Sequence, residues 1–354
     1  MVYLAKRIVR VRRRKKKKKL RLIASLLFLL TLVIGGGFYY VSQVYTAAFE
    51  DLNRGDKSDL REEAVDAQSD PISILLIGVE DYSTDGSAGR ADTQIVLTIN
   101  PDTNQMTMTS VPRDTRIEIP ASKVGRNYAG SHKINAAYSL GEVSGYGAEK
   151  LTVETVEELL DIPIDKYATV NFDGFIEIVD LLGGITIDVK EGFWERSSID
   201  YYKKIQFEEG PMHMSGEEAL AFVRMRKREA AVTYTRDERQ RQFIKASIDE
   251  ALSAGTLFKI GELSDVLGKN VSTNLNPREM LGLQKAFSSK ESNTKTIEIA
   301  GENTRLNDGL YYFIPDEESL NEVKIDLRNA LNLPIPYGLK DSSEENSAET
   351  TYDN

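Results

Sequence analysis

The sequence predicts an α/β domain, a central mixed β-sheet covered by helices on both faces, preceded by one transmembrane helix. Three observations carry this expectation. Ile72–Val79 is a nearly unbroken apolar run, as a strand buried on both faces requires. Strand-like and helix-like segments then alternate along the chain, a pattern that builds a sheet between helical layers. Finally, Leu22–Val44 contains no charged residue, and its length of about 23 residues suffices to cross roughly 30 Å of hydrocarbon as a helix.

Beyond the first strand, Thr93–Asn100 and Gln105–Pro112 read as a hairpin around the turn cluster Pro101-Asp102-Thr103-Asn104. Thr152–Leu160 and Phe172–Leu182 have helical patterns, and Gly184–Val189 reads as another strand. Ser215-x-x-Glu218 and Thr235-x-x-Glu238 each fit a capping box, in which hydroxyl and carboxylate satisfy the free N–H groups of a helix start. The second of these helices carries an inward stripe of Phe243, Ile244, Ser247, Ile248, Ala251 and Leu252. Asp316–Leu331 forms the last helix, and Pro334 and Pro336 close the domain.

Charge is unevenly distributed. Met1–Arg21 holds 12 Lys or Arg and no acid, and the first carboxylate in the chain is Glu50. Taking those 12 from the 45 basic residues leaves 33 against 55 acids, so the remainder carries −22 while the whole chain carries −10. A basic arm beside an apolar span is a topology signal. It places residues 1–21 in the cytoplasm, a single pass through the cell membrane at 22–44, and the bulk of the chain outside. The same position disfavours reading Arg12–Lys19 as a nucleic-acid patch, and the long span without an A-x-A site disfavours a cleaved signal peptide. Residues 45–70 are expected to be a linker, 71–335 the folded domain, and 336–354 a disordered acidic tail.

Several chemistries are disfavoured or excluded. The chain has no cysteine, hence no disulfide, thiol nucleophile or thiolate metal site. His132 and His213 lie in no Ser/His/Asp pattern, and Ser110 and Ser131 lack a nucleophile elbow, which disfavours acyl transfer. What stands out instead is a set of carboxylates and arginines. Glu80 ends the first strand and Asp92 opens the next, and two carboxylates at adjacent strand ends suit Mg²⁺. Arg113 and Asp114 follow the hairpin. Arg224 and Arg226, two residues apart, do not share one helix face, so if both point into one site the helix must end or distort near them. Arg236 and Gln240 lie four apart on one face of the capped helix, with Arg236 in a first turn that favours anions. Arg239 and Arg241 fit a solvated charged face. Together the arginines and carboxylates suit the holding of a pyrophosphate, whose oxygens pair bidentately with guanidinium forks.

Six segments in order carry a resemblance. They are Gly78-Val79-Glu80, Gly89-Arg90-Ala91-Asp92-Thr93, Ser110-Val111-Pro112-Arg113-Asp114-Thr115, Lys133-Ile134-Asn135-Ala136-Ala137-Tyr138, Ala219-Leu220-Ala221-Phe222-Val223-Arg224-Met225-Arg226 and Arg236-Asp237-Glu238-Arg239-Gln240-Arg241-Gln242. Together they resemble the LytR-CpsA-Psr family over roughly Pro71–Leu333. The resemblance implies a phosphotransferase that moves an anionic glycopolymer (teichoic acid, capsule or another wall polymer) from a polyprenyl-pyrophosphate carrier onto a peptidoglycan hydroxyl. It implies Mg²⁺, with Mn²⁺ as the alternative, on Glu80 and Asp92. It also implies phosphate and sugar contacts from Arg90, Arg113, Lys133, Arg224, Arg226, Arg236 and Gln240, with Asp114 beside them. The family shows Asp where this chain has Glu80 followed by Asp81, so either carboxylate can be the ligand; the ten-residue spacing to Arg90 favours Glu80. The competing functions are a membrane-bound transcriptional regulator, for which the short arm lacks a helix-turn-helix, a non-catalytic scaffold, and a lipid-pyrophosphate hydrolase at the same site.

Overall fold

The computed structural model describes residues 49, 51–52, 54–55, 57–67, 69–80, 89–200, 202–228, 230, 234–251, 270–276, 278–280, 282–283 and 293–339. The basic arm, the expected span, Asp81, Leu252 and nearly all of the acidic tail lie outside them. Among the described residues no helix is long and apolar enough to cross a membrane.

The described chain runs β1 (Ile72–Glu80), β2 (Arg90–Asn100), β3 (Gln105–Ser110), β4 (Arg116–Ile119), α1 (Ala121–Val124), β5 (Gly130–Lys133), α2 (Ala136–Ser144), α3 (Ala148–Leu160) and β6 (Lys166–Asn171). It continues through α4 (Phe172–Leu182), β7 (Ile185–Val189), β8 (Phe193–Arg196), β9 (Lys204–Phe207), β10 (Gly210–Met214) and α5 (Gly216–Arg224). Then come α6 (Arg236–Ala251), β11 (Val271–Thr273), β12 (Asn293–Ile297), β13 (Gly301–Arg305), β14 (Tyr311–Pro315) and α7 (Glu317–Ala330).

Six strands form the central sheet in the order β11-β6-β1-β2-β3-β12. β6 runs parallel to β1 and β12 parallel to β3, whereas β1–β2, β2–β3 and β6–β11 are antiparallel, so the sheet is mixed as expected. The interior place of β1 explains its apolar run. Leu75, Ile77 and Val79 pack with Val156 and Leu160 of α3 and Val323 and Leu327 of α7. The intervening Ile72, Ile74 and Leu76 pack with Ile95 and Leu97 of β2 and with Ile244 and Ile248 of α6. Helices therefore cover both faces. A further core joins α4, α5 and α6 to the small β7–β10 and β8–β9 sheets, with Phe193, Phe207 and Phe222 at its centre. Their ring centroids lie 4.6 to 5.8 Å apart, and each buried ring contributes about 1.5–3 kcal/mol. This core fixes α5, whose last residue is Arg224.

Local signals account for most element ends. Asn104 takes φ +52° at the hairpin turn, and β3 stops at Ser110, two residues before the proline that cannot donate. α4 spans the expected residues. α3 begins at Ala148, four residues earlier than the pattern suggests, because Gly147 provides no side-chain cap to mark the start. Ser215 forms both bonds of its capping box. At Thr235 only one forms: its Oγ1 accepts from Glu238 N at 3.2 Å, while the Glu238 carboxylate pairs with Lys190.

Part of the segment read as a linker lies against the domain. Leu52 enters the main core. Arg54 pairs with Glu157 at 2.8 Å, and Ser58 donates to the same carboxylate at 2.7 Å. Arg61 grips Asp165 through two bonds of 2.9 and 2.7 Å. The polar composition conceals this docking because its anchors are arginines meeting buried carboxylates rather than an apolar stripe.

Ser215→Ala is expected to lower stability by about 1 kcal/mol in urea denaturation at an unchanged m-value, since the Glu218 N–H in the first turn of α5 loses its hydroxyl acceptor. A variant as stable as the parent would show that the box does not hold this helix.

Candidate active site

The site is built where β1 and β2 end. Pairing runs Gly78↔Thr93, then shifts so that Val79↔Ala91 and Glu80↔Arg90 are opposite. Ala91 and Asp92 thus share one partner, a β-bulge that takes Asp92 out of the ladder and re-aims it. The return into β2 needs glycine at 89, where a Cβ would meet Val79 Cγ1 at 2.6 Å and the Glu80 carbonyl oxygen at 2.8 Å. The irregularity thus lies in β2, and the β1 ladder continues through Glu80.

Asp92 is buried and accepts hydrogen bonds at both carboxylate oxygens. Its Oδ2 accepts from Arg113 Nη1 at 2.5 Å and Arg226 Nη2 at 2.9 Å, and its Oδ1 accepts from Asn135 Nδ2 at 3.1 Å. Burial alone would raise its pKa. Arg113, Arg236, the Asn135 bond and Arg226 outweigh that, and the carboxyl lies below its ordinary value.

The two arginines of α5 meet in one site because the helix ends between them. Arg224 is the last helical residue, and Met225 turns extended at φ −55°, ψ 131° and buries its side chain. Arg226 is thereby swung toward Asp92. Arg224 reaches Glu80 Oε1 at 3.3 Å and Ser198 Oγ at 2.7 Å, with its guanidinium 4.5 Å from the Phe172 ring centroid. Arg236 opens α6 as expected. Its Nε is buried and has no hydrogen-bond partner among the described residues. Burial, then repulsion from Arg226, lowers its pKa to about 10, even though Asp92 pulls the other way. Gln240, one turn on, donates to Thr93 Oγ1 at 2.9 Å and so is fixed to β2 beside Asp92.

The remaining expected residues lie around this centre. Asp114 is held between Lys133 at 2.8 Å and Arg113 at 3.6 Å. Arg90 stands opposite Glu80, exposed, with no ion pair among the described residues. His132 and His213 contact the carbonyls of Tyr128 and Gly183, each at 2.9 Å, and neither bonds to the cluster. Asn135 was legible only as part of a motif. Its side chain binds Asp92, its N–H donates to the Arg113 carbonyl, and its own carbonyl accepts from Ala91. Ser198 and Phe172 carried no signal. The reading of Arg239 and Arg241 as a solvated face is corrected: Arg239 is 0% exposed, and Arg241 is largely buried against Glu298. The helical spacing was right, but their side of α6 packs on the domain.

Glu80 and Asp92 fit a hard divalent cation only as part of its shell. Among the described residues no three His, Cys, Asp or Glu gather in one place, so ligand oxygens and water would complete the coordination, as Mg²⁺ commonly has it.

Comparison with known proteins accords with this geometry. The family model described as the LytR_cpsA_psr family matches residues 37–329. A Bacillus subtilis relative, polyisoprenyl-teichoic acid–peptidoglycan teichoic acid transferase TagV, is 43% identical over 287 residues, 80% of this chain and 71% of its own. The crystal structure of B. subtilis TagV superposes with a TM-score of 0.64 at 42% identity, covering 75% of this chain and 99% of that one. A structure of the LytR-CPS2A-psr family protein YwtF (TagT) with bound octaprenyl pyrophosphate lipid gives a TM-score of 0.62 at 29% identity, covering 80% and 100%.

The state of Asp92 has a pH signature. A carboxyl with a depressed folded-state pKa adds stability that is fully present above its unfolded value, about 4, and is lost as pH falls through the folded one. Asp92→Asn should therefore lower the urea midpoint at pH 7, and the gap to the parent should close as the pH is taken well below 4. A gap of constant size would mean that Asp92 titrates normally.

Proposed function

The chain belongs to the LytR_cpsA_psr family, and from that premise we propose that it transfers an anionic glycopolymer from a polyprenyl-pyrophosphate carrier to a hydroxyl of peptidoglycan. The names of its relatives favour teichoic acid as the polymer. The observation that carries the reading is the imbalance of charge around one buried carboxylate. Arg113, Arg226 and Arg236 all act on Asp92, Arg224 stands beside Glu80, and the buried Nε of Arg236 lacks a partner among the described residues. Such a surplus calls for an anion, and a pyrophosphate diester brings about two negative charges.

In the transfer, the acceptor hydroxyl oxygen bonds to the phosphorus nearer the polymer. The bond from that phosphorus to the bridging oxygen breaks, polyprenyl phosphate leaves with the electron pair, and the hydroxyl proton is taken up by the departing phosphate. Displacement of this kind needs positioning and charge neutralisation more than a protein nucleophile. Arg224, Arg226, Arg236, Arg113 and Arg90 bind the phosphate oxygens, and Gln240, on α6 and held to Thr93, orients the group. Lys133 and Asp114 flank the first sugars. Glu80 and Asp92 would hold Mg²⁺ or Mn²⁺, which when bound supplies further neutralisation of the pyrophosphate. The depressed pKa of Asp92 suits it to hold cations rather than to accept the acceptor's proton.

We also propose that residues 22–44 anchor the protein in the cell membrane, with residues 1–21 in the cytoplasm and the domain outside; the one-sided basic arm supports this. Protease added to intact wall-stripped cells should digest the domain, and full protection would refute the topology.

The activity is tested with polyprenyl-pyrophosphate-linked polymer radiolabelled in the sugar, peptidoglycan and Mg²⁺. Label in the wall glycan supports transfer; soluble phosphorylated polymer would indicate hydrolysis, and unchanged lipid would indicate mere binding. Arg236→Met should lower transfer at least tenfold while leaving the melting temperature unchanged or slightly higher, because it relieves repulsion with Arg226 and Arg113. A clear loss of stability with normal transfer would make this arginine scaffold.

A further inference from the structure

Met225 directly precedes Arg226, and Tyr234 lies two residues before Arg236. Both places are tied by one side chain. Arg239 donates Nε to the Phe222 carbonyl at 2.9 Å and its two terminal nitrogens to the carbonyls of Met225 and Tyr234. Phe222 lies in the last turn of α5, where carbonyls have no helical partner. The helix has no glycine cap there, because Met225 takes an extended rather than a left-handed conformation. A guanidinium from another helix satisfies those carbonyls instead, and a cation is also favoured at that end by the helix dipole.

The arrangement is costly without a purpose. Arg239 is fully buried and forms no ion pair with a carboxylate among the described residues. Its charge is balanced by three carbonyls and by the rings of Phe193 and Tyr234, whose centroids lie 5.5 and 5.6 Å away. Burial lowers its pKa to about 10. An apolar residue would fill the space without that penalty, but it could not hold the helix end open at Met225.

We propose that Arg239 is a positioning residue for the phosphate site: it clamps the backbone at Met225 and Tyr234 so that the neighbouring Arg226 and Arg236 are presented together. It touches no member of the reacting groups and acts through those two arginines. The inference rests on their reading as phosphate ligands, and its test separates the two.

Arg239→Lys keeps the charge but replaces the planar three-way fork by one ammonium. Binding of a short-chain prenyl pyrophosphate with Mg²⁺ is measured by calorimetry for the full chain, for Arg239→Lys, for Arg226→Ala and for the double variant, with urea denaturation of each. Arg239→Lys should remain folded and lose about tenfold or more in affinity, the scale of one misplaced charge-assisted bond. In the Arg226→Ala background, Arg239→Lys should cost less affinity than it does in the parent, because part of the clamp's effect runs through Arg226 and only the part through Arg236 is left. Phe193→Leu, which removes a ring beside Arg239 but none of its carbonyl bonds, should lose stability yet keep its affinity. A folded Arg239→Lys with unchanged affinity, or losses that multiply in the double variant, would overturn the proposal. So would failure of both Arg239→Lys and Arg239→Gln to fold, since the clamp would then serve the whole fold. If Arg226→Ala binds normally, it is the reading of the phosphate site that fails.

Discussion

The carboxylate of Asp92 is the tie on which the site depends. Three segments far apart in the chain converge on it: the turn after β3 through Arg113, the start of α2 through Asn135, and the end of α5 through Arg226. A buried carboxylate is costly on its own, and each of these donors offsets part of that cost. The cost runs both ways. Arginines crowded at one end of a domain repel one another, and Asp92 is what allows them to be assembled before any ligand arrives. The site is therefore preorganised yet short of negative charge, which is the condition for binding an anion tightly without rebuilding the protein around it.

Much of the fold was legible because its signals are local. The apolar run of β1, the turn before Asn104 and the Ser215 capping box each express a constraint that neighbouring residues settle among themselves. The start of α3 was not legible, since Gly147 leaves no chemical mark of a helix beginning. In the candidate site, charge and spacing pointed to Glu80, Asp92 and the arginines. That α5 must end or distort near Arg224 and Arg226, if both enter one site, followed from helix geometry. Partners contributed from distant segments stayed hidden. Ser198 and Phe172 meet Arg224 only because the β8–β9 hairpin and α4 are folded against α5. Arg239 was misread for the same reason: its spacing matches a surface residue, and only tertiary packing puts it inside.

The segment before β1 teaches a related lesson. Its composition is that of a solvated spacer, yet Arg54 and Arg61 dock it to carboxylates at Glu157 and Asp165. Glu157 also accepts from Ser58 and from the N–H of Ile164, so one acid joins the end of α3, the approach to β6 and the incoming chain. Polar residues can thus fasten a strap when their partners are buried and well bonded.

The extra residue in β2 also governs which changes in chain length the domain can absorb. Removing one residue at Asp92 would bring Ala91 and Thr93 into consecutive pairing with Val79 and Gly78, and the two strands would match without interruption. The shortened chain would have the more regular sheet and no centre for its arginines. At this one position the better-ordered molecule is the inert one, so correct folding is no guide to whether a variant shortened there still works.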